Sequence, residues 1–483
     1  MPESPKTASQ MLYAPAPSRR WQLQILERRR LLMLGDTVAC LIAMLFSVRV
    51  WAVVARQPFT ADFVVWRAAW FFVLPGLWLL LANANDFYSG RVTTRRTEAM
   101  GRLFRITLQM LILYLIIFFL AEREALPRLF IFYYGTASFL LVALWRLLNP
   151  SLIGWASAPL GLLIVGADRA AEMLIETLHA EAPDIYRVTG IISDRPDTPA
   201  MLAGVPVVGD STHLLEWVVR ERVTELALTS TYEMSGDLFQ AVMDAYERGV
   251  AITPVPILYE RVTGRVPVDY VGNQWMVVLP IGEGVTTLKP YSIIKWLMDK
   301  SLALIGMIVF LLLLPILALL ITLDSRGPIF YSQERVGLNG RLFKIVKFRT
   351  MVNDAEKLTG PIFAGANDPR VTRLGRFMRK TRLDELPQLI NVLRGDMSLV
   401  GPRPERMHHV KRLQEKIPFY RTRHVVRPGL TGWAQVRYKY GADDEDSHIK
   451  LQYDLYYIRH RSLFIDINIL IRTVGKVLRM GGQ

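Results

Sequence analysis

The sequence predicts a membrane protein in three parts: a four-helix transmembrane region, a parallel α/β domain, and an α-rich C-terminal domain headed by a helix that enters the bilayer and leaves on the same face. Three observations carry this. Of the 483 residues 51% are apolar, and they gather in long runs near the N-terminus and again before the last third of the chain. Between those regions short apolar stretches alternate with amphipathic ones. The formal net charge is +15, which suits nucleic acid, an anionic membrane surface or phosphorylated substrates equally. From Asp324 onward there are 30 Lys and Arg against 16 Asp and Glu, so the basic work is C-terminal.

Residues 1–30 form a basic arm containing Arg19, Arg20, Arg28, Arg29 and Arg30. The apolar stretch after it is too long for a signal peptide and lacks a clear small-residue cleavage site, so it should remain as an anchor. Residues 31–150 hold four apolar segments, at 31–54, 63–81, 103–121 and 129–148. Each can cross about 30 Å of hydrocarbon as a helix of roughly 20 residues. The arm and the cluster Arg91, Arg95, Arg96 and Arg102 flank the first pair, and the positive-inside rule puts both in the cytoplasm. The connector with Glu122, Arg123, Glu124 and Arg128 is charge-balanced and suits the far side, and an even number of spans returns the chain to the cytoplasm. Asp36, Arg49, Arg67, Arg105 and Arg146 lie toward segment ends, where snorkelling to the interface is favoured over an intramembrane role. Cys40, the single cysteine, excludes an intrachain disulfide or thiolate cluster and reads as a small lipid- or helix-facing residue.

Over 159–278 apolar strands are expected at 160–165, 188–192, 205–208, 225–228 and 251–255, with helical stretches at 170–178 and 238–248. That alternation predicts a Rossmann-like cytoplasmic domain with a parallel sheet. A dinucleotide site wants three glycines after the first strand, and Gly166-Ala-Asp-Arg-Ala-Ala171 keeps only the first. Asp168 would place a side chain and a negative charge where a pyrophosphate approaches. Structural or regulatory use is therefore favoured over cofactor binding.

Residues 301–323 carry no charge and are long enough to span. Yet Lys295 and Lys300 precede them, and Arg326, Arg335, Arg341, Lys344, Lys347 and Arg349 follow, so both flanks ask to be cytoplasmic. Pro315 near the middle removes a helical hydrogen bond and clashes with the preceding turn. A re-entrant helix hinged at Pro315 satisfies both facts.

Three dense strings follow. The first is Gly327-Pro-Ile-Phe-Tyr-Ser-Gln-Glu-Arg-Val-Gly337, running into Phe343-Lys-Ile-Val-Lys-Phe-Arg-Thr-Met351. The second extends from Arg379-Lys-Thr-Arg-Leu-Asp-Glu385 to Gly401-Pro-Arg-Pro404, and the third is Arg427-Pro-Gly-Leu-Thr-Gly-Trp-Ala-Gln-Val436. Asp384 and Glu385 stand near the start of an expected helix, where its dipole and Arg379, Lys380 and Arg382 favour ionised carboxylates. An ionised carboxylate can attack phosphorus, and the adjacent pair can hold Mg²⁺, which prefers oxygen ligands and substrate phosphates. The rigid 401–404 turn can aim the Arg403 guanidinium at a phosphate.

These strings closely resemble the catalytic domain of the bacterial polyprenyl-phosphate hexose-1-phosphate transferases, which initiate exopolysaccharide and O-antigen synthesis. The match covers about 289–479. The full layout is similar to the large members, such as undecaprenyl-phosphate glucose or galactose phosphotransferases. The resemblance implies that 289–483 is a monotopic phosphoglycosyl transferase domain with a re-entrant helix. It implies a covalent phosphosugar on Asp384 with Glu385 as its partner, and Arg379, Arg403, Lys347 and Arg349 as phosphate-binding residues. Pro315 takes the place of the helix-breaking proline, and the acidic position of a late Asp-x-x-Tyr element falls on Asp454. The expected partners are a UDP-sugar donor, glucose or galactose, and undecaprenyl phosphate in the bilayer, with UMP released. The expected place is the bacterial inner membrane, with the catalytic domain on the cytoplasmic face. A homodimer is left open.

Other readings fare less well. Adjacent His408 and His409 point apart on one helix and have no matching ligand pair, so a solvated face is favoured over a metal site. The acidic run 443–446 lacks a glycine-centred calcium loop and reads as a mobile surface loop. Trp433 suits a core or interfacial role as well as base stacking. Amphipathic stretches over 462–480 suit the headgroup layer. An inert membrane scaffold would be expected to have lost the dyad or Arg403, and a nucleic-acid binder would interleave aromatic residues with its basic ones. A reductase or dehydratase working through the central domain is opposed by the degenerate glycine loop.

Overall fold

The computed structural model describes residues 25–65, 67–89, 92, 96–120, 129–152, 159–230, 234–270, 290–352, 368–438 and 443–478. Arg19, Arg20, Arg91, Arg95, the charged connector at 122–128 and the ends of the central and C-terminal regions lie outside them. The chain divides into two compact units, 1–258 and 259–483.

The first unit begins with helices α1 (Ile25–Val54), α2 (Ala61–Val65), α3 (Ala68–Ala84), α4 (Arg96–Leu120) and α5 (Phe130–Leu152). α1, α4 and α5 are long and apolar enough to cross a membrane. The second expected span differs: it breaks between α2 and α3, leaving 17 residues in α3, about 25 Å at the helical rise. The break is at Arg67, whose guanidinium donates to Phe63 O at 2.8 Å and lies 4.2 Å over Trp51 and 3.9 Å over Phe63. On α1 Leu34, Val38, Leu41, Ile42 and Leu45 are exposed, while Asp36, Cys40, Ala43 and Ser47 are buried. Such a division at helical spacing separates a lipid face from a packing face.

Asp36 and Arg146 do not snorkel. Arg146 Nη2 and Nε reach the two Asp36 oxygens at 2.6 and 3.2 Å, and both residues are buried between α1 and α5. Two-point pairing, with the guanidinium 4.2 Å over Phe87, offsets a desolvation that neither charge could bear alone.

After the helices comes a six-stranded sheet made of β1 (Leu160–Val165), β2 (Tyr186–Ile192), β3 (Met201–Leu202), β4 (Val205–Gly209), β5 (Glu225–Leu228) and β6 (Ala251–Pro254), in the order β3-β4-β2-β1-β5-β6. All pairings are parallel except β3 with β4. The two-residue β3 is too short to show in a hydrophobic pattern. Helices α6 (Arg169–Glu181), α7 (Leu214–Arg220) and α8 (Gly236–Glu247) connect the strands. Asp168 caps α6, its Oδ1 accepting from Ala170 N at 3.0 Å and Ala171 N at 3.1 Å.

The second unit is built on α10 (Pro290–Asp324), which follows α9 (Val255–Thr263) in chain order. Its backbone stays helical through Pro315. Behind it come the hairpin β7 (Phe330–Val336) and β8 (Leu342–Phe348), then α11 (Arg373–Thr381), a 3-10 turn at Leu383–Gln388, and α12 (Leu389–Arg394). Strands β9 (Ser398–Val400) and β10 (Gly429–Thr431) pair in parallel. α13 (Met407–Lys416) and a 3-10 turn at Tyr420–Val425 lie between them. α14 (Trp433–Arg437), α15 (Asp444–Arg459) and α16 (Leu463–Leu478) close the unit around the larger of two buried apolar clusters among the described residues, the smaller being formed by Phe310, Leu317, Ile321, Phe348 and Met378. The acidic run opens α15 and is not a loose loop: Asp443 and Asp446 form a reciprocal capping box, and Asp444 pairs with Arg412 and Lys416. Negative side chains at a helix start complement its dipole.

Candidate active site

The site forms where the 3-10 turn at 383–388 meets β8 and the 401–404 turn. α11 stops because Arg382 adopts a left-handed conformation, φ 57°. The turn it begins carries Asp384 and Glu385, both buried. Lys347, on β8, donates to Glu385 Oε1 at 2.9 Å. The Arg403 guanidinium donates to the same oxygen at 2.8 Å, and Arg382 Nη1 stands 3.4 Å from Oε2. Asn391 on α12 sets this register, since its amide donates to Lys344 O at 2.8 Å and its oxygen accepts from Val346 N at 3.3 Å.

Three cations therefore converge on one carboxylate. Burial by itself would raise the Glu385 pKa, but Arg403, Lys347 and Arg382 outweigh it and hold the group well below the usual carboxylate range. Asp384 behaves differently. No side-chain hydrogen bond or ion pair ties it down among the described residues. Burial, and then the adjacent Glu385 charge, push it up to about 6 against a partial offset from Lys347, Arg379 and Arg403. The sequence suggested two carboxylates kept ionised alike; both are buried, and the cations that pair with Glu385 but not with Asp384 separate them.

Arg379, at the end of α11, donates through Nε to Thr350 Oγ1 at 3.0 Å. That contact depends on Gly375, where a Cβ would overlap the Thr350 carbonyl. Arg349 does not join the cluster around Glu385. Its guanidinium donates to Arg326 O at 2.8 Å and Ser325 O at 2.6 Å, closing the C-terminal end of α10. Asp454 stands apart from the dyad as well, buried against Arg423 Nη2 at 2.8 Å.

The third string backs the Arg403 turn. Gly401 N donates to Thr431 O at 2.9 Å and Gly429 N to Pro402 O at 2.8 Å. At Gly401, Gly429 and Gly432 an added Cβ would strike backbone of the opposing segment. Trp433 is a core residue, stacked on Tyr456 and donating to Gly264 O at 3.1 Å. Nothing in the sequence marks Arg423 or Asn391; Arg403 and Asp454 lie 20 and 31 residues from Arg423, Lys344 and Val346 lie 47 and 45 from Asn391, and only folding brings them together.

Residues 290–480 match the bacterial sugar transferase family, and residues 83–256 match a CoA-binding domain family. Over 235 residues the chain is 44% identical to a UDP-N-acetylgalactosamine-undecaprenyl-phosphate N-acetylgalactosaminephosphotransferase of Aeromonas hydrophila, covering 47% of this chain and 53% of that protein. Over 277 residues it is 36% identical to a UDP-glucose:undecaprenyl-phosphate glucose-1-phosphate transferase of Xanthomonas campestris pv. campestris, covering 57% of each. Over 339 residues it is 32% identical to a UDP-galactose-lipid carrier transferase of Erwinia amylovora, covering 66% of this chain and 68% of that protein. The chain belongs to the bacterial sugar transferase family.

This bacterial sugar transferase family member spans a little over half the length of the Aeromonas and Xanthomonas relatives. A diphosphate-bearing cofactor needs free N–H donors where the first helix of the sheet begins. Here the Asp168 carboxylate takes two of them and adds negative charge, and Gly166 stands alone. The residues at that turn do not fit coenzyme A or a dinucleotide.

The fit to a magnesium ion is better at the dyad. Mg²⁺ takes one or two carboxylates plus substrate phosphates and keeps several waters. Asp384, with its oxygens unclaimed by other side chains among the described residues, meets that need. Glu385 is already engaged by three cations, which makes it a holder of those cations more than a metal ligand.

Proposed function

We propose that this protein transfers a hexose-1-phosphate from a UDP-sugar to undecaprenyl phosphate, releasing UMP, as the first membrane step of exopolysaccharide or O-antigen synthesis. The observation that carries this reading is the division of labour in the dyad: Glu385 is clamped by Lys347, Arg382 and Arg403, while Asp384 beside it has no side-chain hydrogen bond or ion pair among the described residues. The activities for which the three relatives are named point the same way.

An Asp384 carboxylate oxygen attacks the sugar-bearing phosphorus, and the bond from that phosphorus to the bridging oxygen breaks. UMP leaves with the bond's electron pair, and the phosphosugar stays on Asp384 as an acyl phosphate. An oxygen of undecaprenyl phosphate then attacks the same phosphorus and frees the carboxylate. Arg403 and Lys347, fixed by Glu385, stabilise the negative charge that gathers on the diphosphate. Asp384 and the donor's own phosphates would hold Mg²⁺, which supplies further neutralisation of the leaving group.

α10 supplies the approach to the bilayer in this reading. Near its start Asp299 accepts from Ser398 and Leu399, and Lys300 donates to Val392 O and Leu393 O. Near its end Arg349 grips Ser325 and Arg326. One catalytic unit thus holds both flanks of the apolar segment, which favours a re-entrant helix over a straight crossing. Exposed Leu304, Ile308, Leu311, Leu312, Leu319 and Leu323 would meet lipid. The catalytic domain would then sit on the cytoplasmic face of the inner membrane.

The test is UMP release from a panel of UDP-sugars, with purified protein, Mg²⁺ and undecaprenyl phosphate. Release is expected with at least one sugar. Asp384→Asn should abolish it even when the acceptor is withheld, and labelled phosphosugar should appear on the unmodified protein alone. Near wild-type turnover by Asp384→Asn would require direct transfer or another nucleophile.

A further inference from the structure

We propose that Arg423 is a positioning residue for the transfer reaction: held by Tyr420 and Asp454, it fixes the backbone of Arg403 and so sets that guanidinium on the dyad. The inference rests on the transferase reading. Arg423 comes from the 3-10 turn at 420–425, and its side chain is 6% exposed. Nη1 donates to Tyr420 Oη at 2.7 Å. Nη2 donates to Asp454 Oδ2 at 2.8 Å and to the Arg403 carbonyl at 3.1 Å. Arg403 in turn places its own Nη2 2.8 Å from Glu385 Oε1. A path of three polar contacts therefore runs from Asp454 to the dyad without either Asp454 or Arg423 touching it.

The turn has unusual need of such support. Pro402 and Pro404 have no N–H, so this backbone can be held mainly by its carbonyls. Four consecutive carbonyls are held. Pro402 O accepts from Gly429 N at 2.8 Å, Arg403 O from Arg423, Pro404 O from Arg335 Nη1 at 3.3 Å, and Glu405 O from Val336 N at 2.9 Å. The contact at Arg403 itself is made by a buried side chain in a 2.8 Å ion pair with a buried carboxylate, whereas Arg335 at Pro404 is half-buried and 3.7 Å from Glu405. A guanidinium at the end of a flexible stem is only as well aimed as its backbone, and a 1 Å misplacement can cost on the order of a hundredfold in rate.

Two variants test this, each made with and without Arg403→Ala and read by donor-dependent UMP release. Arg423→Lys keeps the positive charge beside Asp454 but cannot reach Tyr420, Asp454 and Arg403 O together. Tyr420→Phe removes one hydroxyl and leaves the buried ion pair intact, so it covers the case in which the first variant does not fold. With Arg403 present, Arg423→Lys should lower kcat/KM about tenfold and Tyr420→Phe about threefold; with Arg403→Ala in place each should cost less than about twofold, because no guanidinium remains to be aimed. Equal fold losses in both backgrounds would show a merely structural role and overturn the inference while the transferase reading stands. Failure of the unmodified protein to release UMP from any sugar of the panel would overturn the transferase reading and this inference with it.

Discussion

Asp384 and Glu385 differ by one position in sequence and by their whole electrostatic setting in space. Glu385 has three cations within 3.4 Å, whereas Asp384 has burial and a neighbouring negative charge. A carboxylate raised to about 6 is a better nucleophile when ionised than one held low, at the cost of being protonated in mild acid. The attacking form is the anion, so kcat/KM for the donor should fall as pH drops through about 6, with a limiting slope of one, and level off above it. Glu385 stays ionised across that window and should add no second inflection. A pH profile of UMP release checks this; a profile flat down to pH 5 would mean that Asp384 is not the group that must lose its proton.

At the scale of elements, the strings richest in arginine depend on elements that carry little charge. β9 and β10 bring Gly401, Gly429 and Gly432 so close that none can carry a side chain without backbone movement. Gly429→Ala should destabilise the C-terminal unit by about 1–3 kcal/mol through overpacking. It should also lower UMP release beyond what the melting shift accounts for, because Arg403 stands on the displaced turn. An unchanged melting temperature would show that the strands can separate at no cost. α10 carries a topological expectation of its own. With both flanks gripped by one unit, a reporter fused after Gln483 should behave as cytoplasmic, like one placed in the central domain. Periplasmic activity of the C-terminal fusion would mean that α10 crosses the bilayer.

For the whole molecule, the central sheet is parallel except at β3, and the N–H groups at the turn after β1 are taken from within by Asp168. Titration of the purified protein with coenzyme A or NAD should give no saturable heat. Tight stoichiometric binding of either would overturn the structural or regulatory reading of this sheet. In the membrane region, the pairing of Asp36 with Arg146 and the packing of Gly35 against the Trp145 indole fasten α1 to α5.

What is legible in the sequence is local. Apolar runs of bilayer length, strands such as 160–165 and 225–228, and the motif strings around Asp384 and Arg403 can be read without knowing what lies across from them. Their periods and spacings follow from backbone geometry. Only the tertiary structure decided the partners. The resemblance put Arg349 among the phosphate-binding residues, and the fold engages its guanidinium with the Arg326 carbonyl, 23 residues upstream at the end of a helix. Arg146 had the place of a snorkelling cation and instead meets an aspartate 110 residues away. The inequality of Asp384 and Glu385 arises from Lys347 and Arg403, which arrive from 38 residues before Glu385 and 18 after it. A guanidinium or carboxylate has the same charge in any sequence context; the desolvation and the neighbours that give it a role are fixed by contacts between distant segments.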